Sequence, residues 1–357
     1  MSLKKVCIFS LSVVFLFFFL RGVYFCYNKF GNFNKMLFPV AYEERDFKEE
    51  YKNNFFVENQ SLCYINTLNK KLEFVEKMDY EEYKKETFIN KIPCILLRFE
   101  NQETKSKKNN KNNKKRELVV YFGGNGETIY YSFAYRLFKE IRQCTDLNVD
   151  FLIIGYPGYV CDSSSPSEEN FYKYSDCIAQ YFSSAQSLKC IKSAQSGEYN
   201  KIHFLAFSIG CAMAVDCATK IKKNMIDSLT LMNPFTNIKS CAKHIIENKI
   251  QFLKPIADKV LANFDYNFDN FSRIKEIKIK KLNIVFSSND SVINNKNSLA
   301  LFKNATNCKN KNLYEVCGDH CDWMNYDIIN LLLGVKGNNK LLMQKISVND
   351  EIKKIKT

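Results

Sequence analysis

Histidine and tryptophan are scarce in this chain of 357 residues, which has three histidines and one tryptophan. Chemistry that depends on an imidazole is therefore confined to His203, His244 and His320. The fourteen cysteines are spread along the chain and do not form a dense disulfide framework. Cys317, His320 and Cys321 are metal-ligating residue types, but a structural zinc site needs a fourth ligand and a second paired motif, and neither is present. No metal and no cofactor is predicted.

Acidic residues are outnumbered, since 38 Asp and Glu stand against 52 Lys and Arg, which gives a formal net charge of +14. Much of the excess lies in two Asn- and Lys-rich stretches, residues 105–116 and the tail 336–357. Neither stretch contains an aromatic residue, so the sequence predicts a solvated loop and tail and no nucleic-acid partner. Attraction to an anionic membrane surface stays open.

The N-terminal segment is apolar from residue 6 to residue 20 except for two serines, and Lys4 and Lys5 precede it. No A-x-A-like cleavage site follows, so residues 1–27 are predicted to be an uncleaved membrane anchor, with a cleaved signal peptide as the alternative. We expect a protein attached to an endomembrane or the plasma membrane. The basic residues on the two sides of the segment nearly balance, so the orientation stays open. Residues 28–59 are predicted to be a juxtamembrane linker.

The remaining chain alternates short apolar runs with helical stretches. A hydrophobic share of 46% and an aromatic share of 14% exclude general disorder. Strands are predicted at residues 62–65, 72–75, 92–99, 117–122, 151–155, 202–207, 229–232, 282–286 and 313–316, and helices at 129–141, from Ser167 to 182, and after residue 208. This pattern predicts one α/β domain over residues 60–335, with a mostly parallel sheet covered by helices on both faces. Residues 103–116 are predicted to be an insertion. The aromatic-rich residues 234–281 are predicted to form a helical lid or an acyl groove, with core packing as the alternative for those aromatics.

The most informative stretch is residues 202–215, where a buried strand breaks at Ser208 and a helix of small residues follows. Residues 206–210 read A-F-S-I-G, similar to the G-x-S-x-G of a nucleophile elbow, in which a strained strand-to-helix turn exposes a serine oxygen. Ala206 replaces the first glycine of that pattern. The alternative interpretation is a serine that caps an ordinary helix.

Ser208, Asp290 and His320 each follow the C-terminal end of a predicted strand, which places them at one edge of the sheet. His203 lies inside a buried strand and His244 in a helical region, so His320 is the predicted general base. It takes the proton of Ser208 and returns it to the leaving group, while Asp290 holds its tautomer. Asp319 and Asp322 are the competing acids, but they are too close to His320 in sequence to reach its ring easily.

An oxyanion hole requires two main-chain amides. One is predicted to be that of Ile209, directly after the nucleophile. The other is predicted in the glycine-rich turn that follows residue 122, at Asn125 or alternatively Gly124. A phosphate cradle is the competing interpretation of this turn, but it lacks the lysine and serine of a P-loop.

Several motifs together resemble the membrane-anchored α/β-hydrolase-domain (ABHD) proteins, in the branch of depalmitoylases and lysophospholipid or monoacylglycerol lipases. They are Y-F-G-G-N-G at 121–126, G-Y-P-G-Y at 155–159 with S-P-S-E at 165–168, S-I-G at 208–210, Asp290, H-C-D at 320–322 and M-L-F-P at 36–39. The resemblance implies an α/β-hydrolase fold and a membrane-tethered serine hydrolase. Its substrates would be acyl esters or thioesters, carried by a lipid or by an S-acylated protein.

Two positions depart from that family's pattern. Gly123 stands where the family has histidine, and Ala206 where it has glycine. Both positions belong to the catalytic geometry, so a catalytically impaired scaffold at a membrane stays open as an alternative function. A serine peptidase of the same fold is another. The sequence does not define the acyl chain, the head group, the protein target or the oligomeric state.

Overall fold

The structure is a computed structural model that describes residues 38, 60–75, 90–99, 116–144, 147–159, 165–184, 199–249, 254–255, 257–262, 266–334, 341 and 343–346. The predicted anchor 1–27, the linker apart from Phe38, and residues 103–115 lie outside these ranges. Within them, no helix combines the length and the apolar character that crossing a membrane requires.

One sheet of ten strands organises the described residues, in the order β10-β9-β8-β7-β6-β4-β5-β3-β1-β2. The strands are β1 (Gln60–Asn66), β2 (Leu72–Phe74), β3 (Lys91–Leu97), β4 (Arg116–Phe122), β5 (Asn148–Ile154), β6 (Tyr199–Phe207), β7 (Ser228–Met232), β8 (Lys281–Ser287), β9 (Lys311–Val316) and β10 (Gln344–Lys345). The neighbours from β5 through β4, β6, β7 and β8 to β9 pair in parallel. The β1, β2, β3 and β10 pairings are antiparallel.

Helices connect and cover the strands. They are α1 (Phe133–Cys144), α2 (Glu168–Ser183), α3 (Gly210–Lys220), α4 (Ile238–Lys249), α5 (Ala257–Ala262), α6 (Asn270–Ile274), α7 (Lys296–Asn304) and α8 (Ile328–Leu333), with a 3₁₀ helix at Asp322–Asn325. The central strands β4, β5, β7 and β8 are buried at nearly every position. Because successive side chains of a strand point to opposite faces, continuous burial means that both faces of the sheet are covered. The predicted α/β-hydrolase architecture is confirmed.

The ends of some elements differ from the sequence prediction. Helix α1 begins at Phe133 rather than at residue 129, because the Thr128 hydroxyl accepts hydrogen bonds from the amides of Tyr130 and Tyr131 and holds a turn there. Arg116, which was assigned to the basic insertion, begins β4, and its Nε donates to Asp150 Oδ2 at 2.7 Å. Two residues of the predicted tail form β10, which pairs with β9 and is the outermost strand on that side of the sheet. A pair of residues carries no periodic signal in a sequence.

The cap predicted at Ser167 is confirmed, since its side chain accepts from the amide of Asn170 at the start of α2. Glu168, in the first turn of α2, also accepts from the amides of Asn267 and Phe268, at 2.6 and 2.7 Å. These bonds join α2 to the segment that precedes α6.

An aromatic cluster surrounds Phe38, which is fully buried. Its ring packs against Tyr159, Phe171, Tyr266 and Phe268, with ring centroids 5.5 to 6.5 Å apart. Two of these partners come from the aromatic-rich stretch 234–281. For Tyr266 and Phe268, packing is therefore the role that the structure supports, rather than an open acyl groove.

Candidate active site

The connection from β6 to α3 is a strained turn centred on Ser208. Its φ angle is +53°, in the left-handed region that non-glycine residues seldom adopt and that is common at functional sites. The Ser208 amide donates to the carbonyl of Met232 at 3.0 Å, which anchors the turn to the end of β7. Ile209 occupies the N-cap position of α3, and no side chain caps that helix. Ser208 is therefore not a capping serine.

Gly210 lets α3 pack close to the sheet. A Cβ atom at this position would lie 2.3 Å from the carbonyl oxygen of Phe122 and 2.5 Å from that of Gly123. The start of α3 and the glycine-rich turn after β4 are thus in close contact. The fully buried Ala206, in contrast, is compatible with the turn, since the positive φ of Ser208 is present with alanine at this position.

The structure brings together the three side chains predicted at the strand ends. Ser208 Oγ lies 3.1 Å from His320 Nε2, and His320 Nδ1 lies 2.7 Å from Asp290 Oδ2. The other carboxylate oxygen of Asp290 accepts from the amides of Val292 and Ile293, at 2.8 and 2.7 Å. The Asp290 side chain is almost fully buried and that of His320 mostly so. A carboxylate held in this way orients the imidazole with its Nε2 atom toward the serine.

The other two histidines have different surroundings. His203 is buried in β6, where its ring nitrogens lie 2.8 Å from Ser228 Oγ and 3.1 Å from Glu117 Oε2. It is a hydrogen-bonded core residue, as the sequence predicts. His244 lies in α4, and its Nε2 is 3.4 Å from the main-chain carbonyl oxygen of Asp290.

Asn233 is a residue of the site that the sequence analysis did not identify. It directly follows β7, is buried, and has a φ angle of +47°. Its Nδ2 donates to the carbonyl oxygen of His320 at 2.6 Å and to Ser287 Oγ at 3.0 Å, and its Oδ1 accepts from the Ser287 amide at 2.7 Å. The side chain joins the end of β8 to the loop that carries His320. A polar residue directly after a buried strand was the signal available in the sequence.

Asp319 joins the loop that carries Asp290 to the loop that carries His320. Its Oδ1 accepts from the amides of His320 and Ser291, at 2.7 and 2.8 Å, and its Oδ2 accepts from Ser291 Oγ at 3.1 Å. The hydrogen bonds from these two amides lower the pKa of Asp319. The Asp319 amide itself donates to Asp322 Oδ2 at 2.7 Å. Both acids that compete with Asp290 in the sequence thus bind main-chain amides.

The predicted oxyanion donors differ in their surroundings. The Ile209 amide precedes the first turn of α3, at the positive end of the helix dipole. The Gly124 amide donates to the carboxylate of Glu127, which corrects the prediction that it serves as an alternative donor. Asn125 remains as the candidate donor of the turn, and its side-chain Oδ1 accepts from the hydroxyl of Tyr159.

Two further aromatic rings lie beside His320, the candidate base. The ring of Phe207 packs on the imidazole of His320 with centroids 4.9 Å apart, and Trp323 lies 5.2 Å from Phe207. Apolar rings exclude water from one side of the imidazole, which strengthens its hydrogen bonds to charged partners. The arrangement as a whole can deprotonate a serine hydroxyl and stabilise a developing oxyanion.

No family model matches this chain. Among solved structures it is similar to an esterase of Pyrococcus furiosus, at 11% identity and a TM-score of 0.46, covering 70% of this chain and 88% of that one. The peroxisomal α/β-hydrolase Lpx1 of Saccharomyces cerevisiae gives 11% identity, a TM-score of 0.46 and coverages of 84% and 95%. An acylaminoacyl peptidase of Pyrococcus horikoshii is 14% identical, with a TM-score of 0.41, and the match covers 71% of this chain and 41% of that one. Likenesses at these identities and scores do not define the function of this chain.

Proposed function

We propose that this protein is a serine hydrolase that cleaves acyl esters or thioesters through an acyl-enzyme on Ser208. The observation that carries the proposal is the strained turn at Ser208, with φ +53°, whose hydroxyl lies 3.1 Å from His320 Nε2. The carboxylate of Asp290 lies 2.7 Å from the other ring nitrogen. A structural serine needs neither a left-handed backbone nor a histidine and a carboxylate aligned behind it.

In the acylation step, His320 Nε2 takes the proton of the Ser208 hydroxyl as Oγ forms a bond to the substrate's carbonyl carbon. The carbonyl oxygen becomes an oxyanion, which the amides of Ile209 and Asn125 would stabilise. When the tetrahedral intermediate collapses, the bond to the leaving oxygen or sulfur breaks and His320 returns the proton to it. The carboxylate of Asp290 keeps the imidazole oriented and stabilises the imidazolium.

In the deacylation step, water replaces the leaving group. His320 takes a proton from the water as the water oxygen attacks the acyl carbon. A second tetrahedral intermediate forms, and the same two amides would stabilise its oxyanion. Its collapse breaks the bond to Ser208 Oγ, which regains a proton from His320. The products are the free acid and the alcohol or thiol of the substrate.

We further propose that the substrate is a fatty acyl ester or thioester at a membrane surface. The support is the apolar segment 6–20 near the N-terminus, which lacks a credible cleavage site, together with the resemblance of the motifs to lipid hydrolases and depalmitoylases. An anchored hydrolase meets its lipid or S-acylated protein substrate at the surface to which it is bound.

Labelling with a fluorophosphonate probe tests the reaction class. The wild-type protein should become covalently labelled, with the probe's mass on the peptide that contains Ser208, and Ser208→Ala should remove the label. Ser272→Ala, an equivalent change at an exposed serine of α6, is the matched control and should label at the wild-type rate. If the wild-type protein is folded and does not react, the impaired-scaffold alternative is correct.

A substrate panel tests the bond that is cleaved. An acyl ester and an acyl thioester of the same chain should turn over, whereas a peptide anilide should not. Turnover of the anilide alone would favour the peptidase alternative.

Membrane attachment is tested separately, by carbonate extraction of the full-length protein and of a form that starts at Asn28. Only the full-length protein should stay with the membrane pellet. Release of the full-length protein, or a mature N-terminus beyond Leu20, would contradict the anchor.

A further inference from the structure

We infer that Glu127 is a positioning residue of the oxyanion turn, and this rests on the proposed hydrolase function. Its carboxylate fixes the orientation of the peptide group between Gly123 and Gly124, and it occupies the space beside Gly123 where a side chain would otherwise lie. The residue is buried and takes no part in the proposed reaction steps.

The carboxylate of Glu127 is the centre of four interactions. It accepts from the amide of Gly124, from the amide of Phe133 at 2.9 Å and from the Ser132 hydroxyl at 2.8 Å. The Tyr121 hydroxyl donates to it at 3.0 and 3.2 Å from its two oxygens. One side chain thereby joins the end of β4, the glycine-rich turn and the start of α1.

Both ends of one peptide group are held in this turn. The carbonyl oxygen of Gly123 accepts from the Tyr156 hydroxyl at 2.6 Å, and the amide of Gly124 donates to Glu127. A peptide group is planar, so bonds on its two opposite sides prevent it from rotating. The direction in which the chain continues toward Asn125 is fixed as a result.

The next peptide group is held by the same residue. The main-chain amide of Glu127 donates to the carbonyl oxygen of Gly124 at 3.0 Å. The described residues contain no cis peptide bond, so the amide of Asn125 lies on the opposite side of this group from that carbonyl. Glu127 therefore sets the position of the proposed oxyanion donor with its main chain and with its side chain.

The space beside Gly123 explains why the carboxylate can reach the turn. A Cβ atom at Gly123 would lie 3.2 Å from both Cβ and Cδ of Glu127 and 3.3 Å from its Oε1. Contacts this short require the neighbour to move, and Glu127 is held by four donors. A side chain at position 123 and the carboxylate of Glu127 thus compete for the same volume. In this chain the carboxylate occupies it, which accounts for glycine at the position where the resembling family has histidine.

Among the described residues, three other titratable side chains interact with the charge of Glu127. They are Tyr121, Tyr156 and Cys321; burial is the main cause of the raised pKa of each, and the charge of Glu127 adds to the rise. Burial raises the pKa of Glu127 itself, against the opposing effect of its hydrogen-bond donors. None of the three neighbours is a cation. The carboxylate is therefore held by hydrogen bonds rather than by an ion pair.

The test uses Glu127→Gln, which keeps the shape of the side chain but places an amide group among hydrogen-bond donors. We expect the rate of Ser208 phosphonylation and kcat for an acyl ester to fall about 10- to 100-fold with KM unchanged. Affinity for an alkyl trifluoromethyl ketone should fall in parallel, because its adduct on the serine carries an oxyanion. The matched control is Glu117→Gln, which removes another mostly buried carboxylate that binds Lys201 and His203 outside the turn. It should change stability without changing these rates per folded molecule.

The reaction of the wild-type protein distinguishes failure of the hydrolase proposal from failure of the positioning role. If the wild type is not phosphonylated, the hydrolase proposal itself fails. If the wild type reacts and folded Glu127→Gln reacts at the same rate, or changes only in KM, the positioning role is wrong. Should Glu127→Gln not fold, Tyr156→Phe removes a single hydroxyl from the other side of the same peptide group. A fall in its acylation rate supports the inference, and an unchanged rate overturns it.

Discussion

Replacing Asn233 by alanine tests how the loop that carries His320 is held in place. The change removes three hydrogen bonds, one to the His320 carbonyl oxygen and two to Ser287. The Ser287 amide is buried and would lose its partner, as would that carbonyl oxygen. An unsatisfied buried group costs about 1–3 kcal/mol. We therefore expect the free energy of unfolding to fall by roughly 2–5 kcal/mol, the lower end applying if water replaces the amide.

The backbone of Asn233 adds a second contribution. Alanine at a φ angle of +47° is disfavoured by about 1 kcal/mol, whereas glycine adopts this region freely. Asn233→Gly should thus be more stable than Asn233→Ala by up to about 1 kcal/mol. Both variants lose the same hydrogen bonds. The difference between them isolates backbone strain from the loss of the side chain.

The assay is the rate of phosphonylation of Ser208, measured well below the melting temperature so that the protein is folded. A small displacement of His320 should slow it about 10- to 100-fold, which corresponds to roughly 1.4–2.7 kcal/mol of transition-state stabilisation. The control is Asn283→Ala in β8, another buried asparagine, whose amide binds Thr230 and Asn312. It should lose stability and keep its rate. If Asn233→Ala reacts as fast as Asn283→Ala, Asn233 supports only the fold.

Three further predictions follow from the same geometry. His320→Ala should lose nearly all turnover, on the order of 10⁴-fold or more, while His244→Ala should keep most of its turnover. Equal losses in the two variants would show that His320 is not the specific base. The pKa of Glu127 is raised from about 4.5 in the folded state, so the folded protein binds this proton more tightly than the unfolded chain does. The stability of the wild type relative to Glu127→Gln should therefore fall as the pH rises from about 4.5 through the raised pKa. A pH-independent difference in denaturation midpoints would contradict this. Deleting residues 105–115 should leave the melting temperature nearly unchanged, since loop length has a small entropic effect. A deletion that includes Arg116 also removes its ion pair with Asp150, so it should lower the melting temperature clearly.

The strands and the three side chains of the candidate site were predictable for one physical reason. A strand buried on both faces is apolar at nearly every position, so the ends of the apolar runs mark the strand ends. Ser208 directly follows β6, while Asp290 and His320 lie in the loops just after β8 and β9. Parallel strands bring those ends to one edge of the sheet. The sequence therefore predicts that the three side chains lie near one another.

The supporting residues were not predictable in the same way. Asn233, Asp319 and Glu127 act through side-chain bonds to main-chain amides and carbonyls, and such bonds depend on how loops from different strands meet. Nothing in the local sequence distinguishes Glu127 from a solvated glutamate in a turn. Its burial and its position against Gly123 arise only when β4, the turn and α1 are assembled.

Phe38 has a consequence for where this protein can work. Its ring is packed in the domain among Tyr159, Phe171, Tyr266 and Phe268, so the chain is fastened to the domain at that residue. If the anchor ends at residue 27 as proposed, ten residues (28–37), or eleven Cα-to-Cα steps, separate Phe38 from the end of the anchor. A peptide of that length reaches at most about 40 Å in any conformation. The domain would then stay within about 40 Å of the bilayer surface. A substrate farther from the membrane than this distance plus the width of the domain would have to approach the surface to be cleaved.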